Sequence, residues 1–461
     1  MKEKLRSRQT WSRLGRELAE GIGAKAAAWR GSRRLARPRR GLRTSRETIR
    51  GAEAKLRKLR LRGSRGDFSS LRTGIAELVR RIREETERLN RNNVTRTAAY
   101  WEMFREWPEL HWALLAHLVS RNGGWAMTDL KGEWLPKLLD RPTRDTLFDM
   151  LESCNALIFR DAYPQLKLYA ESRRCGESRF SLLPAFGVSA FMAPFWERFW
   201  IDRDSATLTV ALIVNEQHVV ERKVVQDPAY SETVLRSIAL LGQTALQLNQ
   251  IVFPLGVPGG ARPGEPAEKG TAGDSPEPAA DRPGQADDRP WRAGDRRGEA
   301  ADPPPLAGRI LERFADLKER IAFGKSLYAM LYGYPKVLQG AIAFAEAVPH
   351  SGSRADYWPG RFAATADTAK TGEGPGSSGR SAGREAIENL WYSPRLEDAW
   401  DDRPLGPVPD EDWLDGRNLS AAFHAMRGLR PPLLFDMTRE HEFGQRKLQA
   451  AALAKSLFAP P

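Results

Sequence analysis

From Asp67 onward the chain alternates apolar and polar residues with the period of helices. Leu71, Ile75, Leu78, Ile82 and Leu89 mark one face of a segment whose other face is arginine and glutamate. Asn93 or Thr95 is placed to cap the next helix, through AAYWEMF. Pro108 suits the first turn of the following one and Gly123 its left-handed end, while Thr128, Pro164 and Gly176 read as further starts and stops. The run TLTVALIVNEQHVVERKVV is β-branched enough for a strand, yet its length favours a helix. At Leu306 the pattern predicts an amphipathic helix on Ile310, Phe314, Leu317, Ile321, Tyr328 and Leu331, and EFGQRKLQAAALAKSLF predicts a closing helix. The expected fold class is all-α: a large irregular helical domain with disordered insertions and a basic N-terminal arm.

Breaks in this texture set the expected divisions. Residues 1–66 form a basic, flexible arm, and residues 67–255 the first part of the helical core. Residues 256–305 are Gly, Pro, Ala, Asp and Arg with almost no large apolar side chain, a composition that does not offset its own ordering entropy. Residues 306–364 resume the core, 365–385 are a second flexible linker, and 386–461 pack on the core as a Trp- and Pro-rich C-terminal segment.

Charge changes the picture of the arm. The net charge of +13 is not spread along the chain: residues 1–65 hold 22 lysines and arginines against 5 acids, so the remaining 396 residues carry −4. Trp11, Leu14, Leu18 and Ile22 within the arm keep helical spacing. A basic amphipathic helix can lie on an anionic membrane and a basic tail can hold phosphates, nucleic acid being the less favoured partner; a solvated extension is the plain alternative. Arginine outnumbers lysine 56 to 16, which a GC-rich genome also produces. No window approaches the roughly 18 apolar residues of a membrane span, no apolar leader opens the chain, and two cysteines make no disulfide framework. A cytoplasmic protein, membrane-peripheral if the arm binds lipid, is the expectation.

Polar residues on apolar helices are the candidate chemistry. With Glu109 at zero on a helix advancing about 100° per residue, Ser120, His117 and Arg121 fall within about 120° of it, while His111 lies near 200° among Trp112, Leu115 and Leu118. The two histidines are therefore poor joint ligands, and no metal site is expected. A second polar knot, VPHSGSRADYWPG, crowds His350, Ser351, Ser353, Arg354 and Asp356 into one loop. A third, IVNEQHVVE, adds Asn215 and Glu216.

Two readings stay open. In one, a helical pocket performs acid–base or hydrolytic work with His117, His350, Glu109 and Asp356 as the reacting groups. Arg121, Asn122, Ser353, Arg354, Asn215 and Glu216 then bind the ligand. In the other, the chain is a non-catalytic scaffold or peripheral membrane protein, and those same residues only lock the fold. Phosphate-loop, dinucleotide and zinc-helix motifs are absent from the sequence, so no cofactor or reaction is indicated.

Three blocks taken together, NRNNVTRTAAYWEMFREWPELHWALLAHLVSRNGGWAMTDL, LTVALIVNEQHVVERKV and FGKSLYAMLYGYPKV with PHSGSRADYWPGRF, resemble the YppC-like family of Gram-positive spore formers, domain of unknown function 2515. The resemblance spans residues 90–362 apart from 256–305, with a weaker echo over 423–458. It implies a mainly helical, intracellular protein and brings no reaction or catalytic residues with it.

Overall fold

The computed structural model describes residues 23–62, 73–227, 230, 249–257, 304–371, 390–406 and 411–458. Helices dominate. In chain order they are α1 (23–35), α2 (Arg46–Arg62), α3 (Thr73–Leu89), α4 (Asn93–Glu106), α5 (His111–Asp129), α6 (Leu135–Leu138), α7 (Arg141–Cys175), α8 (Ala193–Asp202) and α9 (Ser205–Val220). Then follow α10 (Leu317–Gly333), α11 (Pro335–Ala347), α12 (Ala366–Thr371), α13 (Leu396–Ala399), α14 (Leu419–Ala425) and α15 (Thr438–Phe458). The ambiguous β-branched run is helix α9, continued by a π turn over Glu221–Val225.

Strands are minor among the described residues. β1 (Gln250–Pro254) and β2 (Leu306–Ile310) pair antiparallel, with Gln250 opposite Ile310 and Pro254 opposite Leu306. The two-residue strands β3 (Phe362–Ala363) and β4 (Trp391–Tyr392) pair in parallel. The helix expected from Leu306 therefore starts later. Pairing with β1 buries Leu306 and Ala307, and the helix begins at Leu317 under the cap of Asp316, whose carboxylate accepts from the Lys318 and Glu319 amides.

Other boundaries moved for equally local reasons. Asn92, one residue before the expected cap, caps α4 reciprocally with Thr95. Pro164 lies inside α7 rather than opening a helix, and Gly176 at φ 72° closes that helix as expected. Gly123 does not end α5. The helix runs on through Gly123 and Gly124 to Asp129, because the space that side chains would fill there is taken: a Cβ on Gly124 would stand 2.5 Å from both Asn93 Oδ1 and His350 Nε2. Thr128 is likewise inside α5, donating to the Trp125 and Gly352 carbonyls.

Helix α5 is the hub. It packs against α4, α7, α9, α10, α13 and β1, with Trp112, Leu114, Leu115, Leu118, Trp125 and Met127 all buried. The arm differs from the expected flexible extension over its described part. Ala28 and Leu35 of α1, and Ile49, Ala52 and Leu56 of α2, are buried, and α2 packs on α8. Its first 22 residues, with the Trp11–Ile22 pattern, lie outside the described residues, as do residues 258–303 of the expected insert, 372–385 of the expected linker and 386–389 of the expected C-terminal segment. Among the described residues no helix is long and apolar enough to cross a membrane.

Candidate functional site

Two of the three polar knots meet. His117, Ser120 and Arg121 on α5 face α4 on one side and the 348–356 loop on the other. His117 Nδ1 donates to the Thr97 carbonyl at 2.8 Å, and its Nε2 accepts from Arg121 Nε at 3.0 Å. Both ring nitrogens are thus committed within the protein. Burial, then the neighbouring Arg121 charge, hold this imidazole well below its usual pKa, so it is neutral. Arg121 also donates to the Val348 carbonyl, and its guanidinium lies 4.8 Å over the Phe344 ring. Burial lowers its pKa to about 10, still charged at neutral pH.

His350 joins the same network. Its Nε2 donates to Asn93 Oδ1 at 2.8 Å, and Asn93 Nδ2 in turn donates to the Ser120 carbonyl and hydroxyl. Asp356 Oδ2 stands 3.5 Å from His350 Nδ1 and accepts from the Ser351 amide, while Oδ1 takes the Ser351 hydroxyl. Burial acts to raise the Asp356 pKa, but the His350 and Ser351 contacts outweigh it and hold the carboxylate below its ordinary value. Burial lowers the His350 pKa.

The remaining sequence candidates are dispersed. Arg354 forks onto Asp129, Nε to Oδ1 at 2.8 Å and Nη2 to Oδ2 at 2.6 Å, and donates to the Tyr357 hydroxyl, which bonds His441 Nε2. Ser353 donates to the Ser393 carbonyl. Asn122 bonds both the amide and the carbonyl of Val252, acting as a side-chain extension of strand β1. Glu109 precedes α5 and accepts from the Tyr169 hydroxyl at 2.7 Å, away from His117. Asn215 bridges Asp161 Oδ2 at 2.5 Å and Trp413 Nε1 at 2.8 Å. Glu216 accepts from Trp112 Nε1, and burial pushes its carboxyl up to about 8. His111, set apart by the helical wheel, bonds the Tyr328 hydroxyl and stacks on Tyr332 at 3.8 Å.

Three of the cavities bounded by described residues have linings that do not include His117, Arg121 or His350. The buried network is a polar seam between helices, with its bonds directed inward. Sequence reading missed several of its members. Asn93 is buried at the start of α4, Asp129 holds Arg354, and the buried Arg96–Glu152 pair ties α4 to α7 at 2.5 Å. Each partner is distant in sequence, so only the residue type, a polar or charged side chain within an apolar segment, signalled it.

The other concentration of functional groups is at the surface. Between Lys25 and Arg46 stand nine cations and no acid, and all nine side chains are exposed. Ser32 Oγ accepts from the Phe435 and Asp436 amides, which fixes the 430–436 segment against α1. That segment and α1 present Leu433, Leu434 and Trp29 to solvent, at 79%, 48% and 54% exposure, beside the exposed Arg427 and Arg430.

A family model described as a protein of unknown function, DUF2515, matches residues 88–276 and 296–431. The chain belongs to the DUF2515 family. Within this DUF2515 protein the two matched stretches together include the buried seam, since α4 and α5 fall in the first and the 348–356 loop in the second. The chain is also 34% identical over 282 residues to the uncharacterized protein YppC of Bacillus subtilis (strain 168), an alignment covering 61% of this chain and 73% of YppC. No solved structure matches it.

Proposed function

We propose that this DUF2515 protein is a peripheral, non-catalytic membrane-binding protein whose buried polar residues lock the fold. Residues 25–46, with Trp29, Leu433 and Leu434, dock on an anionic bilayer. The observation that carries this reading is the juxtaposition of nine exposed cations, unrelieved by any acid between them, with large apolar side chains directed into solvent. Basic side chains near an anionic leaflet contribute roughly 1 kcal/mol each, and an interfacial tryptophan with neighbouring leucines supplies the second, apolar signal that stable anchoring needs. The apolar protrusions favour lipid over nucleic acid, whose backbone rewards charge alone. Commitment of both His117 nitrogens inside the seam supports the structural role for the sequence candidates.

Sedimentation of the full chain with vesicles of phosphatidylcholine containing about 30% phosphatidylserine tests the proposal at about 0.05 M and about 0.5 M salt. The expected result is binding at low salt that falls at high salt, is absent on pure phosphatidylcholine, and is lost in the triple variant Arg37→Glu, Arg39→Glu, Arg40→Glu. Replacing Trp29 and Leu433 by serine weakens it while leaving the charge intact. A chain that ignores anionic vesicles at low salt, or that binds mixed-sequence duplex DNA more tightly than vesicles, defeats the membrane assignment.

A further inference from the structure

A cavity of about 280 Å³ opens between α7, the C-terminal end of α9 with its π turn, and residues 411–413. That volume sits near the lower end of the roughly 300–1,000 Å³ typical of ligand pockets, so it suits a compact molecule. Its polar groups come from separate elements and are held by partners behind them. Asp161 on α7 has Oδ2 fixed by Asn215 Nδ2 at 2.5 Å and Gln165 Nε2 at 2.8 Å, while among the described residues Oδ1 takes no hydrogen bond. His218 on α9 donates from Nδ1 to the Val214 carbonyl at 2.8 Å, which makes Nε2 an acceptor, unfilled among the described residues. Trp413 fixes this imidazole by stacking on it at 4.1 Å and fixes Asn215 through Nε1.

Around these acceptors stand Arg160, Arg222 and Lys223. Arg222 holds the opposite wall, donating to the Asp412 carbonyl at 3.1 Å and lying 3.3 Å from Glu411. Ser189 and the Ala190 amide hold the Asp412 carboxylate, so that charge is partly spent on the wall itself. We propose that this cavity binds a small metabolite that carries an anionic group, held by Arg160, Arg222 and Lys223, and a hydroxyl or ammonium donor that reaches Asp161 Oδ1 and His218 Nε2. No sequence motif announced it, because Asp161, His218 and Trp413 are separated by whole helices. The site is independent of the membrane-docking face, and the two stand or fall separately.

Burial pushes the Asp161 carboxyl up to about 7, with the Asn215 contact and the Lys223 charge opposing it and Asp412 reinforcing it. The titratable and charged groups facing Asp161 are Tyr100 on α4, Arg160 on its own helix, Glu216, His218, Arg222 and Lys223 from α9 and its π turn, and Glu411 and Asp412 opposite. Below its pKa Asp161 is neutral and an anion enters freely; above it, the carboxylate repels the anion. Sulfate, which does not titrate in this range, is the probe. Calorimetric titration of the full chain at constant ionic strength is expected to give binding about tenfold tighter at about pH 6 than at about pH 8.

Asp161→Asn removes that pH dependence, whereas His218→Gln keeps it. Lys223→Gln weakens sulfate by about tenfold, as does Arg160→Gln, which leaves the Arg222 wall contacts in place. The triple reversal at Arg37, Arg39 and Arg40 leaves this isotherm unchanged. Absence of sulfate binding in the millimolar range, or binding indifferent to both Lys223→Gln and Arg160→Gln, overturns the assignment. So does a pH dependence that persists in folded Asp161→Asn protein.

Discussion

Arg96, Arg121, Arg320 and Arg354 are buried inside the helical body, whereas every cation between Lys25 and Arg46 is exposed. The buried four each meet an acceptor supplied by a different element: Glu152, the Val348 carbonyl, Glu221 and Asp129. The exposed run forms no ion pair among the described residues, although Arg33 lies 4.6 Å over the Trp29 ring, and its backbone is anchored by buried Leu35 and Ile49 and by the Arg40 amide on the Gly333 carbonyl. Composition treats the two sets alike. The difference lies in whether an acceptor from another element neutralises or fixes the charge, and it decides what each arginine can do: a buried, bonded guanidinium fixes geometry, and an exposed run without acids makes a field that reaches beyond the protein.

The largest expected effect is at Arg354. Arg354→Ala strands the Asp129 carboxylate, and removes one of the two partners of the Tyr357 hydroxyl, in a packed interior; it is expected to cost about 3–5 kcal/mol in urea unfolding. A loss below about 1 kcal/mol, the scale of a surface pair, would erase the distinction between the two sets.

An intermediate effect separates the two helix α5 histidines. His117→Ala removes the acceptor for Arg121 and the donor to Thr97, and is expected to cost about 1–3 kcal/mol, more than His111→Ala, which loses one tyrosine contact and a stacked ring. Gly124→Ala is expected to cost a similar amount to His117→Ala, because its methyl would press on Asn93 and His350 in a seam with no slack. Comparable melts for His117→Ala and wild type would return His117 to the list of functional candidates.

The smallest effect on stability belongs to the surface. The triple reversal at Arg37, Arg39 and Arg40 is expected to shift unfolding by no more than about 0.5 kcal/mol per site, while abolishing vesicle binding. A large loss of stability there would mean that the run is braced against the body after all.

These contrasts also mark what the sequence could disclose. Helical class, the closing helix and the odd position of His111 were legible, because a 3.6-residue period is written locally. The joining of the His117 stripe to the His350 loop was legible only as a possibility. Residue types flagged both knots, but the meeting depends on α4 supplying Asn93 and on Gly124 allowing the approach. The boundary at Leu306 was misread because Leu, Ile and Phe at those spacings serve a strand followed by a helix as well as one helix, and the pairing with β1 settles the choice from outside the segment. The Asp161 cavity left only a partial trace, the polar run IVNEQHVVE that carries Asn215 and His218, since its other members acquire meaning only from one another.

Strands β1 and β2 bring residues 254 and 306 side by side. The Leu255 amide donates to the Pro305 carbonyl at 2.8 Å, so the two ends of the intervening sequence are latched together like the posts of a doorway. The family match is interrupted between residues 276 and 296, in the sequence between those strands. A latch of this kind decouples length from architecture, since lengthening a connection whose ends are already pinned costs only slowly rising entropy. The doorway is therefore a natural port for grafting: a fluorescent reporter or an affinity tag spliced between the strands would ride on the protein while its helices keep their places.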